Sequence, residues 1–234
     1  MPDFMSNSSY GEDAMLFGIM DRISLINRIN LFEYSTYIDI GCFHPVIDNN
    51  TAFLYKIGWR GTLVDPNPAV VQEVEKYRKD DLFLEMAIAP EPGIKDFMVF
   101  SDTNSMNTLH KDFAKTLKNE NNMEIVKTLS VNSITMDDLF SKHIEKFGQS
   151  PMIVNIDIEG MDYEVITSFS FKHRPLFIAI EDEILGSFED SKLKRFMESK
   201  NYKVVCANFL TGIYMDQSSE FYNKIRKVGY YDIV

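Results

Sequence analysis

Residues 202–216, YKVVCANFLTGIYMD, hold two short β-forming runs, 203–207 and 212–215, separated by a few turn-prone residues. So short a link suits an antiparallel hairpin, because a parallel pair needs a crossover of a dozen residues or more. Upstream the pattern is different. Apolar β-rich runs at 37–40, 61–65, 83–88, 153–157 and 177–181 alternate with amphipathic stretches at 51–57, 69–79, 160–169 and 190–201. That alternation predicts a mainly parallel α/β sheet with helices on both faces, closed by the terminal hairpin. A further amphipathic stretch, 12–29, precedes the first strand as a capping helix. The segment DFMVFSDTNSMNTLHKDF (96–113) reads as an extra strand running into a polar insertion, and the Asn-rich run 118–127 reads as a flexible loop.

Composition narrows the class. A chain of 234 residues with 45% hydrophobic content is long enough for one full core, and a single domain over 1–234 is expected. A net charge of −11 opposes a phosphate-tracking surface, so no nucleic-acid partner is expected. No apolar run approaches the ~20 residues of a membrane span. The opening MPDFMSNSSYGEDAM lacks the basic and apolar regions of a secretory signal, which predicts a cytoplasmic protein. Cys42 and Cys206 stand far apart without metal-ligand spacing and read as two reduced thiols.

In open α/β sheets ligands lie beyond the carboxyl ends of the strands. The first strand runs into DIGCFHPV (39–46), the second ends in GTLVDPNP (61–68), and the fourth principal strand ends at Asp157. Three acids on strand ends, Asp39, Asp65 and Asp157, favour a nucleoside site. Asp65 stands where a carboxylate accepts both hydroxyls of a ribose, with Pro66 and Pro68 stiffening its loop. Asp39 either orients the turn or meets a charged amino group, and each acid could equally cap its own loop. Gly41 permits close backbone approach. A dinucleotide is disfavoured: the turn has one glycine where the pyrophosphate needs G-x-G-x-x-G, and bulky Phe43 and a proline follow.

The segments SYGEDAML, YIDIGCFHP, NNTAFLYKIGWRGTLVDPNP, MNTLHKDF, IVNIDIEGMDYEVI and RPLFIAIE, with the terminal hairpin, resemble FkbM-type S-adenosylmethionine-dependent methyltransferases over nearly the whole chain. The resemblance implies a Rossmann-like class I methyltransferase sheet and O-methyl transfer to a hydroxyl of a sugar, glycan or glycosylated small molecule. It implies S-adenosylmethionine contacts at Asp39, Gly41, Cys42, Phe43, Asp65, Pro66, Met86, Ala87 and Asp157, with Asn50 and Thr51 lining the same crevice. Many methyltransferases carry a second glycine where this chain has Phe43. The competing reading is a non-catalytic module of the same fold that binds the cofactor or a partner protein.

Methyl transfer to oxygen requires alignment of the acceptor and removal of its proton. Two devices are available. One is a general base: His44, which follows the cofactor turn and reads equally as a loop imidazole, or Glu159, with Gly160 letting the next helix start close to the ligand. The other is a divalent cation such as Mg²⁺ held by Asp157, Glu181 and Asp182, acids whose alternative reading is to cap helices or bind a basic substrate group, with Asp157 serving its own loop. His110, His143 and His173 read as surface residues, and Trp59 as core rather than a sugar-stacking platform. The insertion 102–127 is the expected seat of acceptor specificity.

Overall fold

The computed structural model describes residues 4–182 and 191–222. Its centre is a seven-stranded sheet in the order β3-β2-β1-β7-β8-β10-β9. These strands are β1 (Thr36–Ile40), β2 (Arg60–Val64), β3 (Leu82–Leu84), β7 (Ile153–Ile156), β8 (Phe177–Glu181), β9 (Tyr202–Ala207) and β10 (Thr211–Asp216). Only β10 runs against its neighbours, pairing antiparallel with β8 and β9. The expected hairpin is therefore present. Its turn is held by Asn208, whose Oδ1 accepts the N–H groups of Leu210 and Thr211.

The period-2 alternation of strands divides the core in two. Ile38 and Ile40 of β1, with Val154 and Ile156 of β7, point into one layer. There they meet α5 (Met136–Phe147), α6 (Asp162–Ser168) and α7 (Lys192–Ser199). Tyr37, Leu63 and Ile153 point the other way, towards α1 (Glu12–Asn27), α2 (Ala52–Lys56) and α3 (Val70–Tyr77). Every residue of β1 is buried, as expected of a central parallel strand covered on both faces. Trp59 is fully buried, its Nε1 donating to the Phe32 carbonyl, in agreement with the core reading.

Three features differ from expectation. The run 83–88 is broken by a turn closed by Met86 N–H on the Leu84 carbonyl. Past that turn, β4 (Ala87–Ile88) enters a separate three-stranded sheet, order β4-β6-β5, with β5 (Gly93–Val99) and β6 (Lys127–Ile134). Leaving the main sheet at Glu85 aims Met86 and Ala87 at the strand ends instead of prolonging a strand. The Asn-rich run is also more ordered than expected, because α4 (Lys111–Asn121) takes its first four residues and β6 its last. The helix expected over 190–201 is described as α7 from Lys192, and residue 190 lies outside the described residues.

His143 corrects the surface reading. It sits on α5, a helix opened by a Thr135–Asp138 capping box. The side chain is fully buried, its Nδ1 2.9 Å from Thr62 Oγ1 and its Nε2 3.0 Å from Thr36 Oγ1. Two threonines on adjacent strands satisfy both ring nitrogens, so burial costs no unmade hydrogen bond. Burial pushes its pKa down to about 4. A histidine depressed in the folded state contributes stability that is present above its unfolded pKa of ~6.5 and lost as pH falls towards 4. Urea unfolding should show the wild type losing about 2 kcal/mol more than His143→Gln between pH 7 and pH 5. Parallel losses in the two proteins would contradict a buried neutral imidazole.

Candidate active site

The carboxyl ends of β1, β2 and β7, the Met86 turn and the loop after β5 border a cleft partly open to solvent. Gly41, Phe43, Asp65, Pro66, Met86, Ala87, Asp157 and Glu159 line it. All eight were expected from sequence. The reason for glycine at 41 lies in the neighbouring strand: a Cβ there would sit 1.8 Å from the Asp157 carbonyl oxygen, and φ is +79°. Close approach of the ends of β1 and β7 thus forbids a side chain and leaves that part of the wall bare.

Asp65 serves the loop and faces the cleft. Its Oδ2 accepts Phe43 N–H at 2.9 Å and its Oδ1 accepts Asn67 N–H at 2.8 Å. Phe43 itself has φ 48°, so the carboxylate holds the strand-end loop in a bend few residues adopt. Burial raises the Asp65 pKa to about 6, against the pull of those two N–H groups. Each oxygen keeps a second lone pair, enough for a pair of vicinal hydroxyls.

Across the cleft stand Asp157 and Glu159, with Asp162 behind them on α6. All three are raised well above the ordinary carboxylate range by burial and then by repulsion from neighbouring acids. Asp39 and Glu12 act on Asp157, while Asp157 and Asp162 act on Glu159. Asp162 Oδ1 accepts Ile158 N–H, whereas its Oδ2 is buried without a partner. Such a group gains from a nearby positive charge, because a cation stabilises the ionised forms that burial opposes.

Four residues expected at the cofactor are not among those that line the cleft. Asp39 is 1% exposed and accepts hydrogen bonds from Asn49 Nδ2, Thr51 Oγ1 and Asn155 Nδ2. Asn50 donates to Asn155 Oδ1, Thr51 joins the Asp39 network, and Cys42 packs into the helix-side core. At the centre of this network is Arg78, unmarked in the sequence and fully buried. Its guanidinium donates to Asp81, Asn49, Thr51, Tyr37 OH and the Pro45 carbonyl. In YRKDD (77–81) it reads as one charge in a solvated run, and no periodicity separates it from its neighbours.

His44 holds its own loop. Its Nδ1 accepts the N–H groups of Val46 and Ile47, and its Nε2 lies 3.7 Å from Glu73 outside the cleft lining. Burial lowers its pKa, opposed by Glu73. The metal expectation is also corrected. Among the described residues no group of three His, Cys, Asp or Glu side chains is placed to hold a metal ion, so Asp157, Glu181 and Asp182 do not converge. Asp182 turns into the sheet margin instead, where it is buried and helps raise the pKa of Tyr214.

The FkbM methyltransferase domain model matches residues 39–204, well over half of the chain. The chain belongs to the FkbM methyltransferase family. No curated protein and no solved structure matches it. Among the described residues of this FkbM-family methyltransferase, no helix is long and apolar enough to cross a membrane. The match begins at Asp39 and includes every cleft residue named above. The loop after β5 contributes a stretch the sequence did not tie to the cofactor side: Asn104, Ser105, Asn107, Thr108 and Leu109 line the same cleft. Its polar character was legible, whereas its position depends on pairing of β5 with β6.

Replacing His44 by Ala should raise amide hydrogen exchange at Val46 and Ile47 about fivefold, the equivalent of roughly 1 kcal/mol per lost bond. Unchanged exchange at both amides would contradict the loop role.

Proposed function

We propose that this protein is a single-domain, Rossmann-like class I methyltransferase that uses S-adenosylmethionine to methylate a hydroxyl of a sugar, glycan or glycosylated small molecule. The observation that carries the reading is one cleft with an acceptor carboxylate, Asp65, on one wall and a raised-pKa carboxyl, Glu159, on another. The strand order and the terminal antiparallel hairpin support the class I assignment.

The donor set suits the cofactor. Asp65 has free lone pairs for the ribose hydroxyls, Met86, Ala87, Ile88 and Leu109 offer apolar walls for a flat base, and the Asp157 side favours positive charge. When bound, the cofactor supplies an electrophilic methyl group on a sulfonium. Glu159 is the chain's proton acceptor in this reading: its raised pKa makes it a stronger base once ionised, and a cation beside it promotes that ionisation. His44 is set aside because its Nδ1 lone pair is occupied by two backbone donors. The Asn104 amide and the Ser105 hydroxyl line the cleft from this loop, while Asn107 is buried and holds the loop through Phe100 N–H and the Ser101 carbonyl, which supports assigning acceptor choice to the insertion 102–127. Methyl transfer from isotope-labelled S-adenosylmethionine to a panel of glycosylated acceptors tests the whole reading, and absence of both cofactor binding and transfer would reject it.

Asp65→Ala should weaken S-adenosylhomocysteine binding by about 1.5–3 kcal/mol, the value of charge-assisted hydrogen bonds. Hydroxyl donors favour the charged carboxylate, so binding lowers the Asp65 pKa from about 6. Affinity should then be full above that pH and fall below it, a dependence that calorimetry should find flattened in Asp65→Asn.

Glu159→Gln should leave S-adenosylhomocysteine affinity close to wild type and slow transfer by on the order of 10²–10⁴. In the wild type kcat/KM should rise through the neutral to alkaline range, since a raised carboxyl ionises late. A pH-independent rate, or an active Gln variant, would remove Glu159 from this role.

A further inference from the structure

Glu159 occupies an uncommon backbone state. Its φ is 55° and that of Gly160 is 93°, two left-handed residues in succession where the chain leaves the cleft wall for α6. A non-glycine residue held there is strained, and the conformation persists only where its surroundings over-determine it. The surroundings are supplied by the loop after β5. Thr108 Oγ1 donates to the Glu159 carbonyl at 2.7 Å. Thr108 is itself immobilised: it is 1% exposed, it exchanges both backbone hydrogen bonds with Met98, and its hydroxyl accepts His110 N–H at 2.8 Å. Phe113 closes the other side, since a Cβ on Gly160 would lie 3.2 Å from the Phe113 Cβ. The same loop is tied to the opposite wall of the cleft by Asn67 Nδ2 donating to the Asp102 carbonyl at 3.0 Å.

We propose that Thr108 is a positioning residue, whose hydroxyl locks the Glu159–Gly160 peptide in its left-handed state and thereby keeps the Glu159 carboxyl inside the cleft. The role reaches beyond acceptor choice: it makes the insertion a structural partner of the base. Without the Thr108 hydroxyl the Glu159 carbonyl loses its donor, the peptide relaxes towards negative φ, and the side chain turns out to water. This rests on the reading that Glu159 takes the acceptor's proton, but it concerns where the carboxyl stands and can be measured in the protein alone.

The test follows the ¹³Cδ resonance of Glu159 in glutamate-labelled protein across the neutral and alkaline range, with the peak assigned by its loss in Glu159→Gln. Asp157 and Asp162, the acids that face Glu159, are retained in every variant. Thr108→Val removes the hydroxyl and keeps the shape, and the Glu159 midpoint should fall by about one pH unit or more as the carboxyl gains solvent. Thr108→Ser, which keeps the hydroxyl, should titrate like the wild type. If circular dichroism finds the Val variant unfolded, Thr108→Ala, which preserves the backbone bridge to Met98, takes its place with the same expected fall. A wild-type midpoint in the folded variant that lacks the hydroxyl would overturn the proposal, and so would a Ser variant that falls with it. Absence of methyl transfer in the wild type would remove the catalytic reading while leaving this positioning result intact.

Discussion

The geometry of the cleft depends on a buried guanidinium. Arg78, at the end of α3, reaches the loop that follows β1 and donates to it at three places: the Pro45 carbonyl, Asn49 Oδ1 and Thr51 Oγ1. Asp81 accepts from Arg78 Nε at 2.8 Å, and Tyr37 OH bridges the two, donating to Asp81 and accepting from Arg78. A buried charge in low dielectric is costly unless it is paired and fully hydrogen-bonded, and here the pairing also specifies one loop conformation. Asp39 extends the network across the sheet, linking Thr51 to Asn155 on β7. An acid near the end of a fully buried strand is tolerated for that reason.

With the loop held from below, its upper surface can be shaped by backbone rather than side chains. Gly41 lies against the Asp157 carbonyl, and Phe43 is bent by Asp65. The acids thus divide their work. Asp39 is enclosed by three side-chain donors at 1% exposure and organises structure, whereas Asp65 accepts from two backbone N–H groups and lines the cleft. Asp157, Glu159 and Asp162 repel one another in a dry setting, which makes the region receptive to positive charge. A polarised site assembled before its ligand arrives needs no reorganisation when charge develops in it.

The second sheet gives that site its cover. By leaving the main sheet after β3, the chain aims Met86 and Ala87 at the cleft and then builds β5 and β6 as a support for the loop at 101–110. Anchorage at Asn67 on one side and Glu159 on the other lets this loop span the cleft. Its exposed residues can change without touching the main sheet, as is usual for loops carried on a rigid scaffold.

Local pattern alone was enough for the alternating elements, the closing hairpin and the strand-end positions of Gly41, Asp65, Asp157 and Glu159. Those features depend on periodicity and on the rule that ligands lie beyond strand carboxyl ends, both of which can be read along the chain. Partners were a different matter. Asp39 and Asp65 look alike in the sequence, each an acid ending a β run, and only the packing of Asn49, Thr51 and Asn155 around the first makes it structural. His143 looked like a polar helix residue until Thr36 and Thr62 met its ring. Arg78 was one charge among several, and the three acids at 157, 181 and 182 could be imagined converging. Which polar groups meet is decided by long-range contacts between residues far apart in the chain, so tertiary structure alone separated the side chains that hold the scaffold from those that line the cleft.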